Sequence, residues 1–191
     1  LTNQGFYRYP GIFYNKVTGQ GHPFYYFTNG VAASEVSIDR YTGETKVLRT
    51  ELYMDLGRPI NVGIDMGQVT GAFVQGMGWV TTENLFYKDG RLLSCSPSTY
   101  KIPSVHDIPR VFNCHLIDNP LNVRNVKGSK AVGEPPLLLA VSVWAAIKNA
   151  LHSQRDEIIS LKVPATQEHV FMTMKDLGHD SARSKHSETQ P

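Results

Sequence analysis

The 191-residue chain carries 19 Lys and Arg against 17 Asp and Glu, a formal net charge of +2, with 41% hydrophobic and 19% charged residues. That length fits one domain or two small ones, with a core that needs no disulfide or metal staple. The near-neutral balance excludes the basic footprint of a phosphate-backbone binder. The longest apolar run, 137–147 broken only by Ser142, is far shorter than the ~20 residues of a membrane span.

The first 27 residues hold nine Phe or Tyr, interspersed with Gly5, Pro10, Gly11, Gly19, Gly21 and Pro23. This segment reads as loop-rich but too apolar for a disordered leader. It is expected to pack across a part of the protein outside this chain, since Arg8 and Lys16 are too few for nucleic-acid stacking. Residues 24–27 lead into a strand over 31–38, where Val36 and Ile38 alternate with polar neighbours. A turn at 39–43 and a returning strand over 46–54 complete a β-hairpin.

The period then changes. Val69, Ala72, Phe73, Gly76, Met77 and Val80 form one stripe of a helix. Gly67, Gly71, Gly76 and Gly78 lie within it, each unfavourable by up to ~1 kcal/mol, which implies close approach of another backbone or a ligand. Asp65, with Gln68 three positions on, resembles a capping box at its start. A second hairpin is expected over 81–87 and 91–93, a Pro-punctuated loop over 96–109, and a strand over 111–117.

From Pro136 to about Leu151 the sequence reads as a helix apolar on nearly every face, hence buried, with prolines at its N-terminal edge. Residues 161–163 are a short strand candidate. Residues 166–176 read as a last helix capped by Thr166, and the polar residues 178–191 as a frayed tail. The fold class is therefore α+β: antiparallel hairpins and strands, a glycine-rich amphipathic helix over about 65–82, and a buried helix over about 136–151.

Cys95 and Cys114 have no zinc, haem or iron–sulfur spacing and read as reduced, buried thiols of a cytosolic protein. No charged region followed by an apolar signal is visible, so the cytoplasm is the expectation. Three places could carry chemistry. Glu134, in Gly133-Glu-Pro-Pro136, would be poorly solvated against Val132, Leu137 and Leu138, which favours a general base; the bland alternative is an acidic helix cap. Gln68 could donate its amide to an oxyanion, a phosphate or a metal-bound oxo group, or serve only as half of the capping box. Lys130, beside Ser129, could hold its loop, pair with an acid, or be a solvated surface Lys. The seven His are scattered, and no residue reads as a direct metal ligand.

Gly67-Gln-Val-Thr-Gly-Ala-Phe-Val-Gln-Gly76, Pro97-Ser-Thr-Tyr-Lys-Ile-Pro103 and Ser129-Lys-Ala-Val-Gly-Glu-Pro-Pro136 resemble the C-terminal part of the molybdenum-cofactor-binding domain of the xanthine dehydrogenase/oxidase family, which are molybdenum hydroxylases. Shorter matches at Met54-Asp-Leu-Gly57 and elsewhere extend the resemblance over about 5–177. It implies that Glu134 is the family's catalytic base, which takes the proton from a molybdenum-bound hydroxide. It implies that Gln68 contacts the molybdenum–molybdopterin centre, and that Val132 lies on the wall near the substrate. The metal is held by the pterin, so no direct metal ligand is expected from this chain.

Ala131-Val-Gly-Glu-Pro135, where aldehyde oxidases of the class tend to carry Gly-Leu-Gly-Glu-Ser, points to the xanthine type and a purine substrate. Ser96 and Asn61-Val-Gly63 depart from that type without removing a functional residue. Aldehydes or other N-heterocycles are the alternative substrates, and a non-catalytic packing or subunit-contact module is the alternative role. The resemblance further implies 2Fe-2S clusters and FAD in other parts of a complete, oligomeric enzyme. This chain is then expected to be a C-terminal fragment, 1–177 of it folded, that turns over nothing alone.

Overall fold

A computed structural model describes residues 1–153 and 159–176. Strands β1 (Phe13–Asn15) and β2 (Gln20–His22) pair antiparallel, a hairpin that the loop reading of the aromatic leader missed. The turn is local side-chain chemistry: Asn15 Oδ1 accepts the Val17 amide at 2.9 Å and the Thr18 amide at 3.3 Å. The aromatic side chains around it stay largely exposed, Phe6 at 95% and Tyr7 at 73%.

The expected first hairpin forms from β3 (Gly30–Ile38) and β4 (Thr45–Asp55), with a register shift between Glu35 and Val36. Helix α1 (Val62–Thr81) follows, then the two-residue strands β5 (Tyr87–Lys88) and β6 (Arg91–Leu92). The second hairpin is shorter than expected because residue 81 belongs to the helix and the Phe86 amide is donated to Ser94 Oγ at 2.9 Å.

Strand β7 (Val111–Ile117) completes a sheet of order β3–β4–β7. It lies parallel to β4, where only antiparallel pairing was expected. The chain between them passes through α1, and a crossover of this kind is what parallel neighbours require. Period-2 alternation fixes the inner face. Thr50, Leu52 and Met54 of β4 are buried opposite Phe112, Cys114 and Leu116 of β7.

On that face lies α1, burying Val69, Ala72, Phe73, Gly76, Met77 and Val80, the stripe read from the sequence. The Phe73 and Phe112 rings lie 5.5 Å apart. The helix starts three residues earlier than expected. Asn61 is the cap, its side chain accepting the Ile64 amide at 3.2 Å, while Asp65 Oδ2 reaches back to the Asn61 amide. Val62 and Ile64 in the first turn are exposed, so no apolar period marked it. Gln68 lies beyond this cap, and the capping-box reading for it fails.

The glycines divide in two. A Cβ at Gly76 would collide with the Leu137 carbonyl and stand 2.8 Å from the Ala140 methyl, and one at Gly78 would meet the Pro103 ring. Gly67 and Gly71 face open space.

The expected buried helix is two pieces, a 3-10 segment Pro135–Ala140 and then α2 (Val141–His152). Only one stripe of α2 is buried: Val143, Ile147 and Leu151. Leu138 is 66% exposed and Val141 45%, because no described element packs on that side. Residues 161–163 form no strand; Pro164, which follows, has no amide to extend a ladder. The last helix, α3 (167–176), forms as expected, with Thr166 Oγ1 accepting the His169 amide at 3.2 Å. The expected tail at 178–191 lies outside the described residues. Both cysteines are free, but Cys95 is exposed and Cys114 half-buried, against the expectation of two buried thiols.

The two glycine classes should respond oppositely to an added methyl. Gly76→Ala forces α1 off the 3-10 segment and costs about 1–3 kcal/mol. Gly67→Ala raises helix propensity in open space and stabilises by about 0.5–1 kcal/mol. Urea midpoints of the two variants of this chain check the contrast.

Candidate functional site

Asp55, the last residue of β4, is paired with Lys130, 75 residues further along the chain, at 2.6 Å. Their side chains are 9% and 7% exposed. A buried pair is tolerable only when its remaining hydrogen-bonding capacity is met. Here Asp55 Oδ1 accepts the Gly57 amide at 2.8 Å, and Oδ2 also accepts from Asn119 Nδ2 at 2.9 Å. Lys130 therefore pairs with an acid; the solvated-Lys alternative is overturned. Burial alone would push the Asp55 carboxyl up, but the bonds from Lys130, Gly57 and Asn119 outweigh it and hold the carboxyl below its usual range.

Backbone contacts continue the clamp. The Lys130 amide donates to the Leu56 carbonyl at 2.8 Å, and Gly57 bridges Ser129. The Gly128 carbonyl accepts both the Arg58 amide at 2.9 Å and Asn122 Nδ2 at 2.8 Å. Gly57 stands in the left-handed region, with φ 64°, and a Cβ there would strike the Gly128 carbonyl. The Ala131 amide donates to the Tyr26 hydroxyl at 3.0 Å. Residues 128–131 are thus fastened to the end of β4 and to the aromatic leader.

This fastened loop delivers the candidates. Val132 is half-buried against the core. Gly133 lies against the second turn of α1, where a Cβ would stand 3.2 Å from Gln68 Oε1. The structure therefore brings Gln68 beside the residue that precedes Glu134. Glu134 itself is exposed and makes no side-chain cap bond to the 3-10 segment it precedes. Glu134 thus occupies the cap position without making the cap bond, and the expectation of poor solvation by Val132, Leu137 and Leu138 fails.

The Pro97–Pro103 motif stays apart from these residues. Ser98 and Thr99 bond within their own turn to Ser96 Oγ, at 2.9 and 3.0 Å. Tyr100 donates to the Glu83 carboxylate, which together with burial holds its hydroxyl above the ordinary phenol range. With Thr82 Oγ1 donating to the Lys101 carbonyl at 2.9 Å, the 97–103 motif fastens to the C-terminal end of α1, away from Gln68. A cavity of about 470 Å³ opens there, lined by Leu85, Cys95, Pro97, Tyr100 and Ile102 among others. Among the described residues no group of three or more His, Cys, Asp or Glu is placed to hold a metal ion, and no helix is long and apolar enough to cross a membrane.

Asp55, Asn119 and Tyr26 were missed as site residues. Met54-Asp-Leu-Gly57 was read only as part of a resemblance, and a lone Asp whose partner lies 75 residues away leaves no spacing signal.

The exposed edge beside Gln68 fits an extended polar cofactor. Gly67 and Gly71 leave the helix surface open on either side of it. Among the described residues no group hydrogen-bonds the Gln68 amide or the Glu134 carboxylate. Such an edge offers amide N–H donors, a free carboxylate and no thiolate or imidazole set, which suits a metal carried by its own organic ligand.

The family model described as "Molybdopterin cofactor-binding domain" matches residues 1–109, more than half of the chain. The chain belongs to this family. It is 47% identical over 176 residues to a xanthine dehydrogenase/oxidase of Gallus gallus, covering 89% of this chain and 13% of that protein. Among solved structures, a quinoline 2-oxidoreductase from Pseudomonas putida 86 superposes with a TM-score of 0.67 at 30% identity, over 73% of this chain and 18% of that one. An aldehyde oxidoreductase from Desulfovibrio desulfuricans gives 0.69 at 25%, over 83% and 17%. The chain thus spans about an eighth of the length of the curated relatives it matches.

The ion pair has a pH signature. The folded Asp55 carboxyl titrates below its ordinary 3.8, so its ionised form favours the folded state above that value. The contribution is lost as the pH falls through the folded value. Asp55→Asn should flatten the stability decline below about pH 4, measured as urea midpoints across the acid range; a decline as steep as in the unmodified chain would contradict the assignment.

Proposed function

We propose that the chain is the C-terminal part of the molybdenum-cofactor domain of a xanthine-oxidising molybdenum hydroxylase, with Glu134 its general base and Gln68 a cofactor contact. The observation that carries this reading is the packing of Gln68 against Gly133, beside Glu134. Two residues 66 positions apart in sequence thereby share one exposed edge. Molybdopterin would supply the redox centre that accepts an electron pair from substrate. The chain's own part is to hold an amide donor toward the cofactor and an acceptor for a proton in the adjoining space. Val132, beside the same loop, would form part of the substrate wall.

The purine substrate is favoured because the chain is 47% identical to a xanthine dehydrogenase/oxidase, against 25% and 30% to two aldehyde oxidoreductases of known structure. The Pro135–Pro136 pair points the same way. A molybdenum hydroxylase acting on an aldehyde or another N-heterocycle is the second reading, supported by the likeness to aldehyde oxidoreductase and quinoline 2-oxidoreductase. The rest of the molybdenum subunit, with iron–sulfur and flavin parts, would come from outside this chain.

In the complete enzyme, at matched molybdenum content, Glu134→Gln keeps the size of the side chain and removes the base. Urate formation from xanthine should fall at least ~10²-fold in kcat. Equal rates would remove Glu134 from the chemistry, and a wild-type enzyme that makes no urate would remove xanthine.

A further inference from the structure

We infer that Lys130 is a positioning residue for the reaction: its buried pair with Asp55 holds the backbone that sets Glu134 beside Gln68. This rests on the reading of Glu134 as the base. The geometry separates it from ordinary loop stabilisation. Three residues connect Lys130 to Glu134, and the intervening chain has one further side-chain tether, the Tyr26 hydroxyl on the Ala131 amide. From Ala131 onward the loop is carried by packing of Val132 on the core and of Gly133 on Gln68. Glu134 is exposed and uncapped, so nothing bonded to its own side chain fixes its place.

The anchor has the rigidity this task needs. Both charges are more than nine-tenths buried, and Asp55 is further held by Gly57 and Asn119. The same clamp includes the Lys130 amide, which donates to the Leu56 carbonyl. Removing the ammonium leaves a buried carboxylate without its counter-charge, and the local response is movement of 128–131 away from β4. A displacement near 1 Å is enough to cost a positioned base most of its effect. The cofactor contact, Gln68, is carried by α1 and Val132 is held by its packing on the core, so both are left in place. The prediction is therefore a loss in kcat without a matching change in KM.

The test uses the complete enzyme, with rates normalised to bound molybdenum. Lys130→Met should lower kcat for xanthine by about 10²-fold and change KM by less than about twofold. Amides of 129–134 should exchange hydrogen faster while those of α1 do not. Lys130→Arg, which retains the charge, should recover most of the rate. Tyr26→Phe cannot unfold the core and removes only the second tether, so it should lower kcat about threefold with KM unchanged, and it keeps the test open if Lys130→Met fails to assemble. Normal kcat in Lys130→Met, or in Tyr26→Phe if Lys130→Met fails to assemble, or a loss confined to KM or molybdenum content, would overturn the inference. Glu134→Gln in parallel separates the two failures. If it is inactive while the tether variants are normal, only the positioning role falls; if it is fully active, the base assignment falls and this inference with it.

Discussion

The contact on which the site depends is the buried ion pair between Asp55 and Lys130. It joins the end of the central strand to the start of the loop carrying Glu134, beside the buried Met54 and Leu56. Among the described residues it is the salt bridge with both side chains less than a tenth exposed. The surface pairs, such as Lys46–Glu44 at 66% and 52% exposed, contribute little by comparison. A buried pair of this kind adds less to total stability than an apolar substitute of equal volume would. Its value lies in geometry: it gives residues 128–131 one position relative to β4.

The core supplies the second half of the frame. Phe73 and Val69 of α1 pack on the sheet face made by Leu52, Met54 and Phe112, so the helix is fixed relative to β4 by burial. Gly76 then admits the Leu137 carbonyl, which brings the 3-10 segment against α1 from its other end. Gln68 is carried by the helix, Glu134 by the loop, and both are referred to the same strand. Packing sets one residue and a charge pair sets the other, and Gly133, having no Cβ, lies against the Gln68 side chain.

Much of this was legible in the sequence, and the gaps have physical causes. The stripe from Val69 to Val80 and the alternation in β3, β4 and β7 are dictated by burial on one face, so their period survives in the residues. The first turn of α1 buries little and was read three residues short. The parallel pairing of β7 with β4 depends on a crossover, which no local pattern records. Leu138 and Val141 read as interior because apolar composition shows what must be covered, not what covers it. At the site, Glu134 and Gln68 stood out through glycine-rich motifs, while Asp55, Asn119 and Tyr26 left no trace because their partners are distant along the chain.

The central claim is that Gln68 and Glu134 border one cofactor site. The most direct measurement is a crystal structure of the complete enzyme with molybdopterin bound. The account predicts the Gln68 side-chain amide within about 3.2 Å of a cofactor acceptor, with the Glu134 carboxylate on the same side and the Asp55–Lys130 pair intact. A cofactor seated on another face, with Gln68 and Glu134 both in bulk solvent, would contradict it.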